Sequence, residues 1–195
     1  MASSRRVGAE TSKTRDLLLN CVERLMLETG YASVSYRAVA ARAGVTPGLV
    51  QYYFPTLDEL FVAAVRRRSG QNLEKLAEDL RTRADRPLHV LWEYSKDESA
   101  AALTTEFLAL GNHRKSIRAE IAEWAERLRR LQTEALAEAS RERPVTLGNL
   151  SPGTLLFLVT GIPKLVRLEE GVGISSEHAG VMAEFEEFLD SVEPS

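Results

Sequence analysis

Between residues 37 and 54 the chain reads RAVAARAGVTPGLVQYYF and ends on Gln51, Tyr52, Tyr53 and Phe54 in a row. An amide and two phenols crowded onto so short a stretch offer hydrogen-bond donors and acceptors, the chemistry of recognition. Patterns for catalysis are missing elsewhere. The chain contains no Gly-x-Ser-x-Gly, His-Glu-x-x-His, P-loop or dinucleotide fingerprint, and Gly171-Val-Gly173 lacks both a preceding strand and a third glycine. Glu120, Glu123 and Glu126 alternate with arginines at helical spacing, which reads as a salt-bridged surface. His89 and His178 have no ligand-like spacing, and Cys21 is the only cysteine, so an internal disulfide and a multi-thiolate zinc site are ruled out. Cys21 falls on an apolar helical face and reads as packing. The expectation is a protein with no metal, no cofactor and no enzymatic activity.

The elements that position Gln51 and its neighbours follow from local signals. Leu18, Cys21, Val22, Leu25 and Met26 recur at amphipathic spacing, predicting a first helix from Ser12 to Glu28 that Gly30 stops. Ser35 can cap a second helix running to Ala43, ended by Gly44 in a left-handed conformation. Thr46 can cap a third, with Pro47 at its first position where the missing N–H costs nothing. Two short helices joined by a glycine-containing turn are the signature of a helix-turn-helix. Val50 and Phe54, four apart, face the core with Val39 and Leu25, which turns Pro47, Gly48, Leu49, Gln51 and Tyr52 toward another surface.

Beyond Pro55 the pattern stays helical to the end. A long helix capped by Thr56 carries acids in its first turn, and Pro87 starts the next. Another runs from about Glu98, and a further one places Ile117, Ile121, Trp124, Leu128, Leu131 and Leu136 on one stripe. After the loop PVTLGNLSPG, residues 154–169 are apolar nearly all round, with Pro163 expected to kink or locally unwind the helix. Val181, Phe185, Phe188 and Leu189 form the stripe of a closing helix. No strand pattern competes, so the fold class is all-α with about nine helices.

Composition is that of a globular chain, 44% apolar and 27% charged over 195 residues. MASSRRVGAETSKTRD has no apolar h-region, and the longest apolar run, Leu155 to Val159, is far short of the roughly 20 residues a membrane span needs. A cytoplasmic protein without a membrane partner is expected. The net charge of −3 hides an asymmetry: through Gly70 ten basic residues face six acidic ones, about +4, which leaves about −7 for the rest. A basic head on an acidic body fits the electrostatic footprint of a nucleic-acid surface, but about +4 over 70 residues by itself favours a solvated face, and the motif must decide.

The order of features across residues 12–60 resembles the TetR-type bacterial transcriptional regulators. It is carried by Gly30-Tyr31, Ala43-Gly44-Val45, Thr46, Gly48, Tyr52-Tyr53-Phe54 and Asp58-Glu59-Leu60-Phe61. The resemblance implies a helix-turn-helix DNA-binding domain with an N-terminal arm over 1–56 and a larger helical ligand-binding and dimerisation domain over 57–195. It also implies that the third helix enters the major groove, so that Arg37, Thr46, Pro47, Gly48, Leu49, Gln51, Tyr52 and Tyr53 meet DNA. Their chemistry agrees, since Arg and Gln bond base edges bidentately, leucine touches a thymine methyl and tyrosine hydroxyls position phosphates. The chain departs from the family in having Val50-Gln51 where Leu-Tyr is usual and Leu57 where a lysine is usual, the latter removing one phosphate contact. Arg5, Arg6 and Lys13 either replace that contact from the arm or form a solvated tail.

For the body, the resemblance implies a small-molecule effector of unknown identity and a homodimer built on the last two helices. Trp92, Phe107, His113, Trp124 and Phe157 are the candidate ligand-binding residues, with Glu106, Asn112 or His113 as polar handles; plain core is the other reading for each aromatic. The helix over 154–169 needs cover on every side, which a symmetric dimer supplies. The function so implied is a ligand-responsive regulator binding a double-stranded operator, a repressor released by its effector. An activator or low-specificity DNA binder with the same head, and a helical small-molecule-binding protein that has lost DNA binding, are the other readings.

Overall fold

The two short helices over 36–43 and 47–53 each begin and end on a residue whose side chain or backbone answers the orphaned groups there. The computed structural model describes residues 2–142 and 150–193, and for residues 2–12, 99, 100 and 142 the backbone alone. Among the described residues there is no strand, and the elements are α1 (Ala2–Thr29), a 3-10 turn (Tyr31–Ser33), α2 (Tyr36–Ala43), α3 (Pro47–Tyr53), α4 (Leu57–Thr82), α5 (Pro87–Lys96), α6 (Glu98–His113), α7 (Lys115–Glu142), α8 (Pro152–Glu170) and α9 (His178–Val192). The chain divides into two compact units, one of residues 1–70 with 102–124 and the other of 71–101 with 125–195.

In the first unit the Ser35 hydroxyl accepts from the Ala38 N–H at 3.2 Å and Gly44 ends α2 at φ 68°, a conformation glycine adopts without a Cβ penalty. Thr46 caps α3 by accepting from the Leu49 N–H at 3.3 Å, with Pro47 at the first position. Thr56 precedes α4, accepts from the Glu59 N–H at 3.1 Å and donates to the Glu59 carboxylate at 3.1 Å. The core gathers Leu18, Leu19, Val22 and Met26 of α1, Val39 and Ala40 of α2, Val50 and Phe54 around α3, Leu60 and Phe61 of α4, and Leu103, Phe107, Leu110, Ile117 and Ile121. Cys21 lies in it, its thiol pushed up by burial.

Helix α1 starts at Ala2 instead of the expected Ser12. Ala2, Arg5, Arg6, Ala9 and Glu10 are good helix formers and no proline stops the pattern, so the backbone propagates through the expected arm. The side chains of Arg5 and Arg6 lie outside the described residues.

In the second unit α5 packs along α8, and α8 along α9. No Arg86 side chain caps α5; the buried Glu193 carboxylate at the end of α9 does so instead, accepting from the N–H groups of Leu88 at 2.9 Å and His89 at 3.1 Å. Helix α8 runs unbroken through Pro163. The expected unwinding is absent because proline removes only one ladder bond, and Leu155, Leu156, Val159, Pro163 and Val166 form a continuous buried face that holds the helix together. Most of the loop over 144–153 lies outside the described residues, at 144–149.

Candidate nucleic-acid interface

The surface of α3 is sorted by the pattern that builds its core. Val50 is fully buried and Phe54 nearly so, which leaves Thr46, Pro47, Gly48 and Gln51 exposed, Tyr52 77% exposed and Leu49 half-buried. Tyr53 packs partly against the core and meets the Tyr52 ring edge-on, centroids 5.4 Å apart. A Cβ at Gly48 would meet nothing within 4 Å, so the first turn of α3 leaves room for another molecule's backbone. Arg37, the second residue of α2, is exposed too.

Two contacts fix α3 that the sequence does not signal. The Tyr36 hydroxyl, at the start of α2, donates to the Phe54 carbonyl at 2.9 Å, tying the entry of one helix to the exit of the other. The Arg15 guanidinium lies 5.2 Å from the centroid of the Phe54 ring. Burial pushes the Tyr36 hydroxyl up from the ordinary phenol range, aided by the Glu59 charge, so it stays a donor. Tyr36 follows a capping serine, where side chains usually point outward, and nothing in its spacing reveals a carbonyl partner.

The head's cations are partly spent internally. Arg42 pairs bidentately with Glu28, Arg66 reaches Glu120 at 2.8 Å, and Arg67 reaches Glu23 at 2.6 Å. The Arg42 contact holds the Glu28 carboxyl below the usual range. Lys13, Arg15, Arg24 and Arg37 remain exposed. Residues 102–124 add three basic and three acidic residues, so the first unit as a whole keeps the +4 of residues 1–70.

The five aromatic or imidazole candidates for a ligand site divide between the units. Phe107, His113 and Trp124 belong to the first: Phe107 is in its core, His113 is exposed and stacks on Tyr31 with ring centroids 6.3 Å apart, and Trp124 is half-buried. The Trp124 indole N–H is buried with no partner among the described residues. Trp92 and Phe157 belong to the second. Trp92 is buried, donates to Glu186 at 2.9 Å and tilts against Phe185 at 4.9 Å. Lys96 and the Trp92 indole together hold the Glu186 carboxyl below its usual range. Phe157 is 63% exposed, with the Arg129 guanidinium 4.5 Å from its centroid. Of the polar handles, Glu106 is engaged elsewhere, accepting from the Tyr31 N–H at 2.7 Å.

The family profile described as "Bacterial regulatory proteins, tetR family" matches residues 19–64. An "HTH-type transcriptional repressor BepR" of Brucella suis biovar 1 (strain 1330) is 26% identical over 141 residues, 68% of this chain and 66% of that protein. A "Fatty acid metabolism regulator protein" of Bacillus subtilis (strain 168) is 23% identical over 101 residues, 51% of this chain and 47% of that protein. The matched regions thus stop short of two thirds of either relative's length. Among solved structures, a putative transcriptional regulator from Saccharomonospora viridis in complex with choline superposes with a TM-score of 0.73 at 14% identity, covering 90% of this chain and 96% of the other. At that identity the likeness establishes the fold, helix-turn-helix and helical body alike.

Proposed function

The chain belongs to the TetR-type family of DNA-binding bacterial transcriptional regulators, and from that premise we propose that it is a repressor released from its operator by a small molecule. The observation that carries the DNA-binding reading is the exposure of Gln51 and Tyr52 on a helix whose Val50 and Phe54 are sealed in the core. Residues 1–56 form the DNA-binding domain in this reading and 57–195 the ligand-binding and dimerisation domain. Gln51 reads a base edge from the major groove, Leu49 meets a thymine methyl, and Tyr52, Tyr53 and Arg37 bind from the flanks. Thr46, Pro47 and Gly48 bring the helix N-terminus up to a phosphate.

A homodimer follows from α8. Phe157, Leu158, Leu165 and Leu168 are exposed large apolar side chains on that one helix, and Val172 and Ile174 continue the patch beyond it. A contiguous apolar surface of this kind calls for a partner, and a second copy packing α8 and α9 around a twofold axis covers both patches at once. Two recognition helices then address half-sites about 34 to 36 Å apart on one face of DNA.

The repressor assignment draws on the BepR relative, and the effector on the choline-bound neighbour. An effector site would draw on the aromatic side chains of one compact unit, and in the first unit the unpaired Trp124 indole N–H is a donor left for a guest's acceptor. A molecule that prefers one body conformation lowers operator affinity only by its differential affinity for the two states.

The test is selection of a preferred duplex from a random-sequence DNA library, followed by titration of the selected and random duplexes at several salt concentrations. A preference of about a thousandfold or more is expected. Equal binding of both duplexes, or of neither, would overturn the reading.

A further inference from the structure

The helix-turn-helix is held at both its ends by side chains from far along the chain. At the first end Gly30, at φ 79°, has no side chain with which to cap the 3-10 turn that joins α1 to α2. Its own N–H closes α1 on the Met26 carbonyl at 3.0 Å, so Tyr31 carries the first donor left without a partner in the local backbone. Glu106 of α6 fills that place, its carboxylate accepting from the Tyr31 N–H at 2.7 Å in partly buried surroundings. A charged acceptor on a half-dry backbone donor makes a stronger bond than a neutral one.

At the second end Asp58, in the first turn of α4, receives the Arg114 guanidinium and the Ser116 hydroxyl, the latter at 2.8 Å. Arg114 is the residue between α6 and α7, and its guanidinium also lies 5.5 Å from the centroid of the Phe61 ring. The corner that carries these groups is itself stiff. A Cβ at Gly111 would approach the Ile121 side chain to 3.0 Å, so the two helices close on a position that only glycine fits without displacement. Arg118 ties the corner from the other side, donating to the carbonyls of Gly111 at 3.1 Å and Asn112 at 3.0 Å, where α6 ends.

We propose that Glu106 and Arg114 are positioning residues for DNA recognition: the rigid α6–α7 corner holds the Gly30–Tyr31 turn and the start of α4 together, and so sets the attitude of α2 and α3 between them. The inference rests on the DNA-binding reading above and names the two side chains that fix the attitude of the recognition helix. Both polar clamps belong to the first compact unit, and α2 and α3 lie between their two anchor points in sequence. Tyr36, bonded to the Phe54 carbonyl, makes the intervening pair of helices one block. A displacement of the corner therefore moves that block as a whole without altering which side chains it presents.

The full chain with Glu106→Ala, and with Glu106→Gln as the conservative partner, separates positioning from plain stability. Each variant is titrated with the library-selected duplex and with random duplex across a salt series, and its thermal midpoint is measured. Loss of one charge-assisted bond that orients the block is expected to weaken selected-duplex binding roughly tenfold. Random-duplex affinity and the salt slope stay unchanged, because no phosphate contact is removed. Glu106→Gln, whose amide oxygen still accepts from the Tyr31 N–H, recovers most of the loss. Selected-duplex affinity equal to the parent's, or a fall of both affinities in step with the thermal midpoint, would overturn the inference while leaving the DNA-binding reading intact. No duplex preference in the parent protein would instead overturn that reading, and the inference with it.

Discussion

In the helix-turn-helix the apolar side chains are sealed and the polar ones are wet, whereas on α8 large apolar side chains are left in water. Val39 and Val50 are fully buried, while Tyr52 and Gln51 stand out; Phe157 and Leu168 on α8 are each more than half exposed. Both helices carry one well-buried face, Val50 on α3 and Leu155, Leu156 and Val159 on α8. The difference lies in the face that remains, and it indicates what each needs to meet. Hydrogen-bonding tips lose little by staying hydrated and gain specificity from a polar partner such as a base edge. Exposed leucines gain mainly by leaving water, about 25 cal/mol per Å² buried, which a second apolar surface permits.

Substitutions on the two surfaces sharpen this contrast. The largest effect is expected from Phe54→Ala, which empties the core beneath α3 and removes the ring facing Arg15; a loss of about 3 to 5 kcal/mol in chemical or thermal unfolding is anticipated. A cost below about 1 kcal/mol would mean that the head is not built on this residue. Next, Leu165→Glu with Leu168→Glu places charge on the exposed α8 stripe. Sedimentation should show association weakened by about 2 kcal/mol or more, with helix content retained. An unchanged dimer mass would place the interface elsewhere.

Smaller still is Gln51→Ala, which keeps α3 folded because the side chain is exposed. Discrimination at one base position should relax by about 1 to 3 kcal/mol in competition binding, with the salt slope unchanged. The least effect concerns acid. The Ser116 hydroxyl and then Arg114 hold the Asp58 carboxyl below its ordinary range, so its contribution is full above about pH 3.9 and is lost as pH falls through the lower folded value. Because the Asp58 side chain is 41% exposed, solvent screens the effect. Thermal melts of the parent and of Asp58→Asn should differ at neutral pH and converge in acid; parallel curves at every pH would remove Asp58 from the ledger.

Local chemistry made much of the head legible. Ser35, Gly44, Thr46 and Thr56 act through bonds to residues at most four positions away, Pro47 acts through its own fixed φ, and both devices work the same way in almost any context. The burial of Val39, Val50 and Phe54 likewise follows from helical spacing alone. The start of α1 was harder to read, because the ten residues before Ser12 lack an apolar stripe although their helix propensity is good. Pro163, expected to kink or locally unwind α8, leaves it unbroken. Its local cost is real, but buried neighbours on α8 hold the helix continuous across it.

Partners distant in sequence were beyond reach. The Glu106 carboxylate caps a backbone N–H 75 residues away, a partner that no spacing in the chain announces. The Trp92 indole likewise donates to Glu186, 94 residues on. The amino-acid sequence by itself determined the helical class, the caps of α2, α3 and α4, and the polar face of α3, because each depends on neighbours along one or two turns. Only the tertiary structure decided which carboxylate meets which donor. A charged side chain finds its partner through the packing of helices remote in the chain, and that packing has no period to read.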